Sequence, residues 1–175
     1  MADIPDQIVL KRHRDLEGTR NRIWVRRLLL LALLGFLVAG LANVFGQRPH
    51  GDAVESGAAR FELYAPAHLR GGLLFEARFT IEAHRALKSA ALQLSPGWLE
   101  SAQLNTIEPS PLGEASRNGD LLLTLGHIPA GTTYRLFMQF QINPTNVAWG
   151  RRADVTLYDG ATKLAHIRRE VTIFP

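Results

Sequence analysis

The first marked pattern along the chain is an uninterrupted apolar run. Leu28 to Gln47, LLLLALLGFLVAGLANVFGQ, carries no charged side chain. As a helix, Leu28 to Phe45 rises roughly 27 Å, close to the ~30 Å hydrocarbon core of a bilayer. A transmembrane helix is therefore expected over 28–46. The next stretch, QRPHGDAVESGAA, is polar and rich in small residues, and reads as a flexible linker over 47–59.

From residue 60 the period changes to two. Leu73, Phe75, Ala77, Phe79 and Ile81 alternate with Leu74, Glu76, Arg78, Thr80 and Glu82. Tyr134, Leu136, Met138, Phe140 and Ile142 repeat the pattern, with Arg135, Gln139 and Gln141 on the other face. Each run predicts a half-buried strand. Shorter candidates are Phe61–Tyr64, Lys88–Leu94, Gln103–Ile107, Leu121–Leu125, Ala153–Tyr158 and Lys163–Ile167, with Val171–Phe174 continuing the last. Turn chemistry separates them, as at Arg70-Gly71-Gly72, Ser95-Pro96-Gly97, Asn118-Gly119-Asp120, Pro129-Ala130-Gly131 and Asp159-Gly160. About seven to eight strands with no helical stretch between them predict an all-β domain over 60–175. Its expected form is an antiparallel immunoglobulin-like β-sandwich, preceded by the one transmembrane helix.

Charge gives the helix a direction. Residues 1–27 hold seven Lys/Arg against four Asp/Glu, and Arg20, Arg22, Arg26 and Arg27 crowd the start of the apolar run beside Trp24. Arg48 is the only nearby charge on the other side. The positive-inside rule places the N-terminus in the cytoplasm and the C-terminal domain outside the cell membrane. Two alternatives compete with this signal-anchor. One is a cleaved secretory signal, with small residues at Gly40-Leu41-Ala42, but the leader and the span are both long for that. The other is a twin-arginine signal at Arg26-Arg27, which lacks the preceding Ser or Thr. In the tail, Ile4, Ile8 and Val9 make too small an apolar face for a docking helix, so its charges read as topology determinants.

Ala32, Gly35, Ala39 and Ala42 recur at spacings of three, four and three, with Asn43 one turn beyond Ala39. Small residues let another helix approach closely, and an amide hydrogen-bonds across the interface. The expected partners are therefore the lipid bilayer and, through this seam, another membrane protein or a second copy of the chain.

The pI near 10 changes meaning once the chain is divided. Residues 46–175 carry thirteen basic against twelve acidic side chains, too near neutrality for a nucleic-acid-binding domain. The absence of cysteine excludes thiol catalysis and a disulfide scaffold. No nucleophile, phosphate-loop, dinucleotide or zinc-protease motif occurs. Among His13, His50, His68, His84, His127 and His166 no two share i,i+2 or i,i+4 spacing. No catalytic residue, metal site or cofactor is expected. Glu76 and Glu82 share a strand face but lie about 20 Å apart, against the ~5–9.5 Å of a glycosidase pair.

One charge arrangement stands out. A two-residue turn at Asp159-Gly160 pairs Tyr158 with Ala161, and then Arg151 with Arg168; a one-residue slip pairs Arg151 with Arg169 instead. Arg151, Arg152, Arg168 and Arg169 then gather at one end of the hairpin. Like charges opposed in a sheet are destabilising, so an offset is required from Asp154, Glu170 or an anionic partner. A parity change between Leu164 and Val171 suggests a bulge near Arg168. Trp149, beside these arginines, is either a partner anchor or a cap on the sandwich core; the area a Trp must bury favours the cap. Trp98 poses the same choice. Phe137 falls on the polar face of its strand, which implies cover from another element or a partner.

Leu121 to Ile142, LLLTLGHIPAGTTYRLFMQFQI, resembles the paired-strand segment of bacterial immunoglobulin-like modules, the CARDB-type group among them. The matching positions are Leu125, Gly126, Ile128, Pro129, Ala130, Gly131, Thr132 and Thr133. The resemblance covers 22 residues and transfers no functional residue. It implies a spacer, adhesion element or assembly platform. The expectation is a non-catalytic, single-pass cell-envelope protein whose outer domain is an accessory, assembly or binding module. The alternative is an exported binding domain for an anionic envelope polymer or glycan.

Overall fold

The computed structural model describes residues 20–44, 46–100 and 102–175. Ile4, Ile8, Val9 and the rest of the tail before Arg20 lie outside the described residues, as does the side chain of Arg20. The chain divides into two units between Phe45 and Gly46.

Helix α1 runs Arg20–Leu41. It starts eight residues before the expected span, because arginine and leucine both favour helix and the basic flank simply continues it. Its 22 residues rise roughly 33 Å. Arg27 lies over the Trp24 ring, 5.5 Å from its centroid. The helix also stops earlier than expected. Val44 N–H donates to the Ala39 carbonyl at 3.0 Å and Asn43 N–H to the Gly40 carbonyl at 2.9 Å, with Asn43 at φ 53°. This is a Schellman closure with asparagine in the left-handed position. Asn43 therefore terminates the helix and does not extend the Ala32, Gly35, Ala39 seam as a helical residue. Arg22–Leu41 is long and apolar enough to cross a membrane, and none of its most apolar window is buried.

The second unit is all-β. Its strands are β1 Pro49–Glu55, β2 Ala59–Pro66, β3 His68–Arg70, β4 Leu74–Ala83, β5 Leu87–Leu94, β6 Ala102–Glu108 and β7 Gly113–Arg117. They continue with β8 Asp120–Ile128, β9 Thr133–Ile142, β10 Ala148–Arg152, β11 Val155–Asp159, β12 Thr162–Ile167 and β13 Glu170–Phe174. One five-stranded sheet has the order β1-β2-β4-β9-β6, the other β12-β11-β5-β8-β7. A three-stranded sheet, β10-β13-β3, completes the set. All pairings are antiparallel except β13 with β3.

The antiparallel sandwich is the one the alternation predicts. Phe75, Ala77, Phe79 and Ile81 of β4 and Leu136, Met138 and Phe140 of β9 are buried from one sheet. Leu92 and Leu94 of β5, Leu123 of β8 and Leu157 of β11 meet them from the other in one continuous core. Burying these side chains, Ala77 apart, contributes about 1.5–3 kcal/mol each.

The strands number thirteen rather than seven or eight. Four have no expected counterpart, β1, β3, β7 and β10, and all are edge strands, while β13, expected as the continuation of β12, is a strand of its own in another sheet. An edge buries little apolar surface, so it needs no alternating signal. The linker expected over 47–59 is corrected on this point. Residues 49–55 form β1, in continuous register with β2 from Pro49↔Pro66 to Glu55↔Arg60. Ser56 closes the turn, its hydroxyl donating to the Ala59 carbonyl at 2.8 Å. The Pro129–Thr132 turn joins β8 to β9, which lie in opposite sheets, so the Leu121–Ile142 segment crosses the sandwich.

Candidate functional site

The β11–β12 hairpin turns on Gly160-Ala161, not on Asp159-Gly160: Asp159 pairs with Thr162, and Gly160 takes φ 59°. A further shift between Leu157 and Tyr158 sets Val155 opposite Ile167. Arg151 and Arg168 therefore do not face each other. Arg151 and Arg152 belong to β10, where they pair with Val171 and Glu170 of β13. The parity change near Arg168 is not a bulge within one strand. It is a break at residues 168–169, where the chain leaves one sheet and joins another.

The four arginines consequently do three different things. Arg169 is buried, 5% exposed. Its Nη1 donates to Asp52 Oδ2 at 2.7 Å, its Nη2 donates to the Ala65 carbonyl, and its backbone N–H donates to Asp154 Oδ1 at 3.0 Å. Burial pushes its pKa down, and the Asp52 charge and hydrogen bond oppose that shift. It is an internal tie between β1, β2 and the sheet junction. Arg151 turns toward Glu100 and Asn146, donating to the Glu100 carbonyl and, at 3.1 Å, to Asn146 Oδ1. Arg152 and Arg168 remain exposed. They line a depression of about 600 Å³ with Asp154, His166, Arg169 and Glu170. Glu170 sits directly opposite Arg152, which supplies the cross-strand offset that a row of arginines requires.

The two uncertain tryptophans part company. Trp98 is 4% exposed, with ring centroids 5.6 Å from Phe79 and 5.5 Å from Phe140, and its Nε1 donates to the Asp154 carbonyl at 3.2 Å. The short helical turn Pro96–Trp98 drives it inward. Trp149 does not cap the core, contrary to the expectation above. It lies on edge strand β10, 73% exposed, edge-on to Phe174 at 5.4 Å. Phe137 is covered by a side chain of its own sheet. Arg78, its partner in the neighbouring strand, lies 5.2 Å from the Phe137 centroid and 5.6 Å from that of Tyr64. This stacked row is a favourable cation–π arrangement.

Among the described residues no group of His, Asp and Glu is arranged to hold a metal ion. His50 lies 3.7 Å from Asp52 and His84 3.3 Å from Glu55. His127 contacts the Leu87 carbonyl at 3.0 Å, and His166 meets the Thr156 hydroxyl at 2.9 Å. His13 lies outside the described residues. Glu76 and Glu82 are both exposed on β4, with Arg78 3.5 Å from Glu76. Asp52, Ala65 and Asp154, which hold Arg169, carried no signal of that role in the sequence. Their contacts join positions up to 117 residues apart.

No protein-family model matches this chain, and no curated protein matches it either. Among solved structures it is similar to the chitin-binding domain of a hyperthermophilic chitinase from Pyrococcus furiosus. That likeness has 14% identity and a TM-score of 0.38, covering 63% of this chain and 93% of that one. It is also similar to AvmM, described as catalysing macrocyclization in alchivemycin A biosynthesis, at 8% identity and a TM-score of 0.40, covering 74% of this chain and 92% of that one. Scores at this level carry no argument about activity or descent.

Proposed function

We propose that this chain is a single-pass protein of the bacterial cell membrane, N-terminus in the cytoplasm, with its β-sandwich outside. There the sandwich works as a non-catalytic accessory, assembly or binding module for a membrane or envelope partner. One observation carries the reading. Helix α1 is apolar all round from Leu28 and none of its most apolar window is buried, whereas the sandwich closes its core with residues from Val54 onward. A helix apolar on every face requires either a protein interior or a bilayer. The arginines before Leu28 supply the orientation. The short-range resemblance to immunoglobulin-like modules supports an assembly role.

The direct experiment is mild-detergent extraction of the full-length protein, followed by identification of what co-purifies. A specific membrane protein is the expected companion. Release of the chain from membranes by alkaline carbonate would overturn the anchor. The exposed Arg152 and Arg168 beside His166 favour a second reading, an outer domain that binds an anionic polymer or glycan. It predicts salt-sensitive binding of such a polymer by residues 46–175 alone, lost on Arg152→Ser with Arg168→Ser.

A further inference from the structure

One end of the sandwich gathers exposed apolar side chains. Gly71 N–H donates to the Phe174 carbonyl at 2.8 Å, and Gly72 N–H to the Ile142 carbonyl at 3.0 Å. A Cβ on Gly71 would sit 2.8 Å from the Pro144 carbonyl, so the 70–73 and 143–147 loops are in direct contact. From these loops and the strands flanking them project Leu73 at 48% exposure, Leu74 at 49%, Val147 at 49% and Trp149 at 73%. Trp149 packs on Phe174, and His68 stacks on the same ring at 6.0 Å.

The chain arriving from the helix reaches this same end. Pro49, the first residue of β1, pairs with Pro66, two residues before His68. Eight peptide links separate Leu41 from Pro49, a reach of at most about 28 Å. The charge is one-sided as well. Residues 46–51, 67–74 and 143–150 contain no Asp or Glu, although residues 46–175 contain twelve. They do contain Arg48, Arg70, His50 and His68. A Trp beside exposed leucines, in segments that carry arginine but no carboxylate of their own, is the composition that favours the headgroup region of an anionic bilayer, with Glu100 and Glu170 flanking the loop behind Trp149.

We propose that this end of the sandwich rests on the membrane surface, with Trp149, Val147, Leu73 and Leu74 among the lipid headgroups and Arg48 and Arg70 against their phosphates. The inference rests on the membrane-anchor reading above. It makes the domain a seated one. The Pro129–Thr132 turn, at the opposite end of β9, then points away from the bilayer.

The chain has no cysteine, so single-site labelling is clean. Val147→Cys, Leu73→Cys and, as the distal control, Ala130→Cys are each introduced in the full-length protein. Each carries a spin label and is placed in nanodiscs of phosphatidylcholine and phosphatidylglycerol, one copy per disc. The ratio of collisions with oxygen to collisions with a nickel chelate reports lipid immersion. The expected result is a severalfold higher ratio at Val147 and Leu73 than at Ala130. Equal, water-like ratios at all three sites in discs that retain the protein would overturn the seated domain and leave the anchor intact. Failure of the chain to remain with the lipid would overturn both.

Discussion

Asp52 and Arg169, 117 residues apart in the chain, meet in a 2.7 Å ion pair. The pair joins the first strand of the sandwich to the point where the chain changes sheets. Arg169 is nearly inaccessible, whereas the Asp52 side chain is 35% exposed. The guanidinium's strict burial is tolerable because Asp52 pairs with its Nη1 and the Ala65 carbonyl accepts from its Nη2. Breaking a buried pair from one side leaves an uncompensated charge.

Asp52→Asn should therefore cost about 3 kcal/mol, read from urea unfolding of the domain. Adding Arg169→Met should recover much of that loss, because the stranded charge goes with it. If the single and double variants unfold alike, the pair is not a unit.

Gly97 lies where the chain turns before Trp98. A Cβ placed there would stand 1.8 Å from the Arg152 carbonyl oxygen, a backbone atom that cannot swing aside. Gly97→Ala should destabilise the domain by about 1–3 kcal/mol through overpacking. The near-ultraviolet signal of Trp98, wedged between Phe79 and Phe140, should change with it. Gly57→Ala, which meets nothing within 4 Å, is the matched control.

Tyr134 stands at the start of β9 with its pKa raised by burial. A folded-state pKa above the unfolded value of 10.0 adds stability that is fully present below pH 10. That contribution is lost as pH rises through the folded pKa. Wild type should consequently lose stability faster than Tyr134→Phe in the alkaline range. Parallel curves would show that the phenol is not involved.

On helix α1, Ala32, Gly35 and Ala39 keep their spacing of three and four, and a Cβ at Gly35 meets nothing within 4 Å. If that seam packs against another membrane helix, Gly35→Leu with Ala39→Leu should weaken crosslinking in native membranes. Asn43→Ala should affect the helix end instead, since Asn43 supplies a left-handed closure that alanine resists. Unchanged crosslinking in the leucine variant would remove the seam.

Strands β4 and β9 were legible because each covers the core on one face for ten residues, and burial writes a period of two into the sequence. The same logic fails at β1 and β10. Their pairing is backbone hydrogen bonding at an edge, and their side chains answer to water. The arginine cluster was half legible. Proximity of Arg152 and Arg168 followed from the hairpin, but the turn sits one residue later than Asp159-Gly160 suggests. Where a turn is displaced, every facing pair beyond it changes, and so the opposition of Arg151 to Arg168 dissolved.

The apolar helix, its basic flank and the alternating strands of an antiparallel sandwich follow from the order of residues alone. These features are written by local periodicity and by the energy of removing apolar surface from water. Which arginine is buried, which tryptophan enters the core, and that Leu73, Val147 and Trp149 share an end with Pro49 came from the folded arrangement. Those outcomes depend on contacts between distant segments, and no local pattern records where a chain will meet itself.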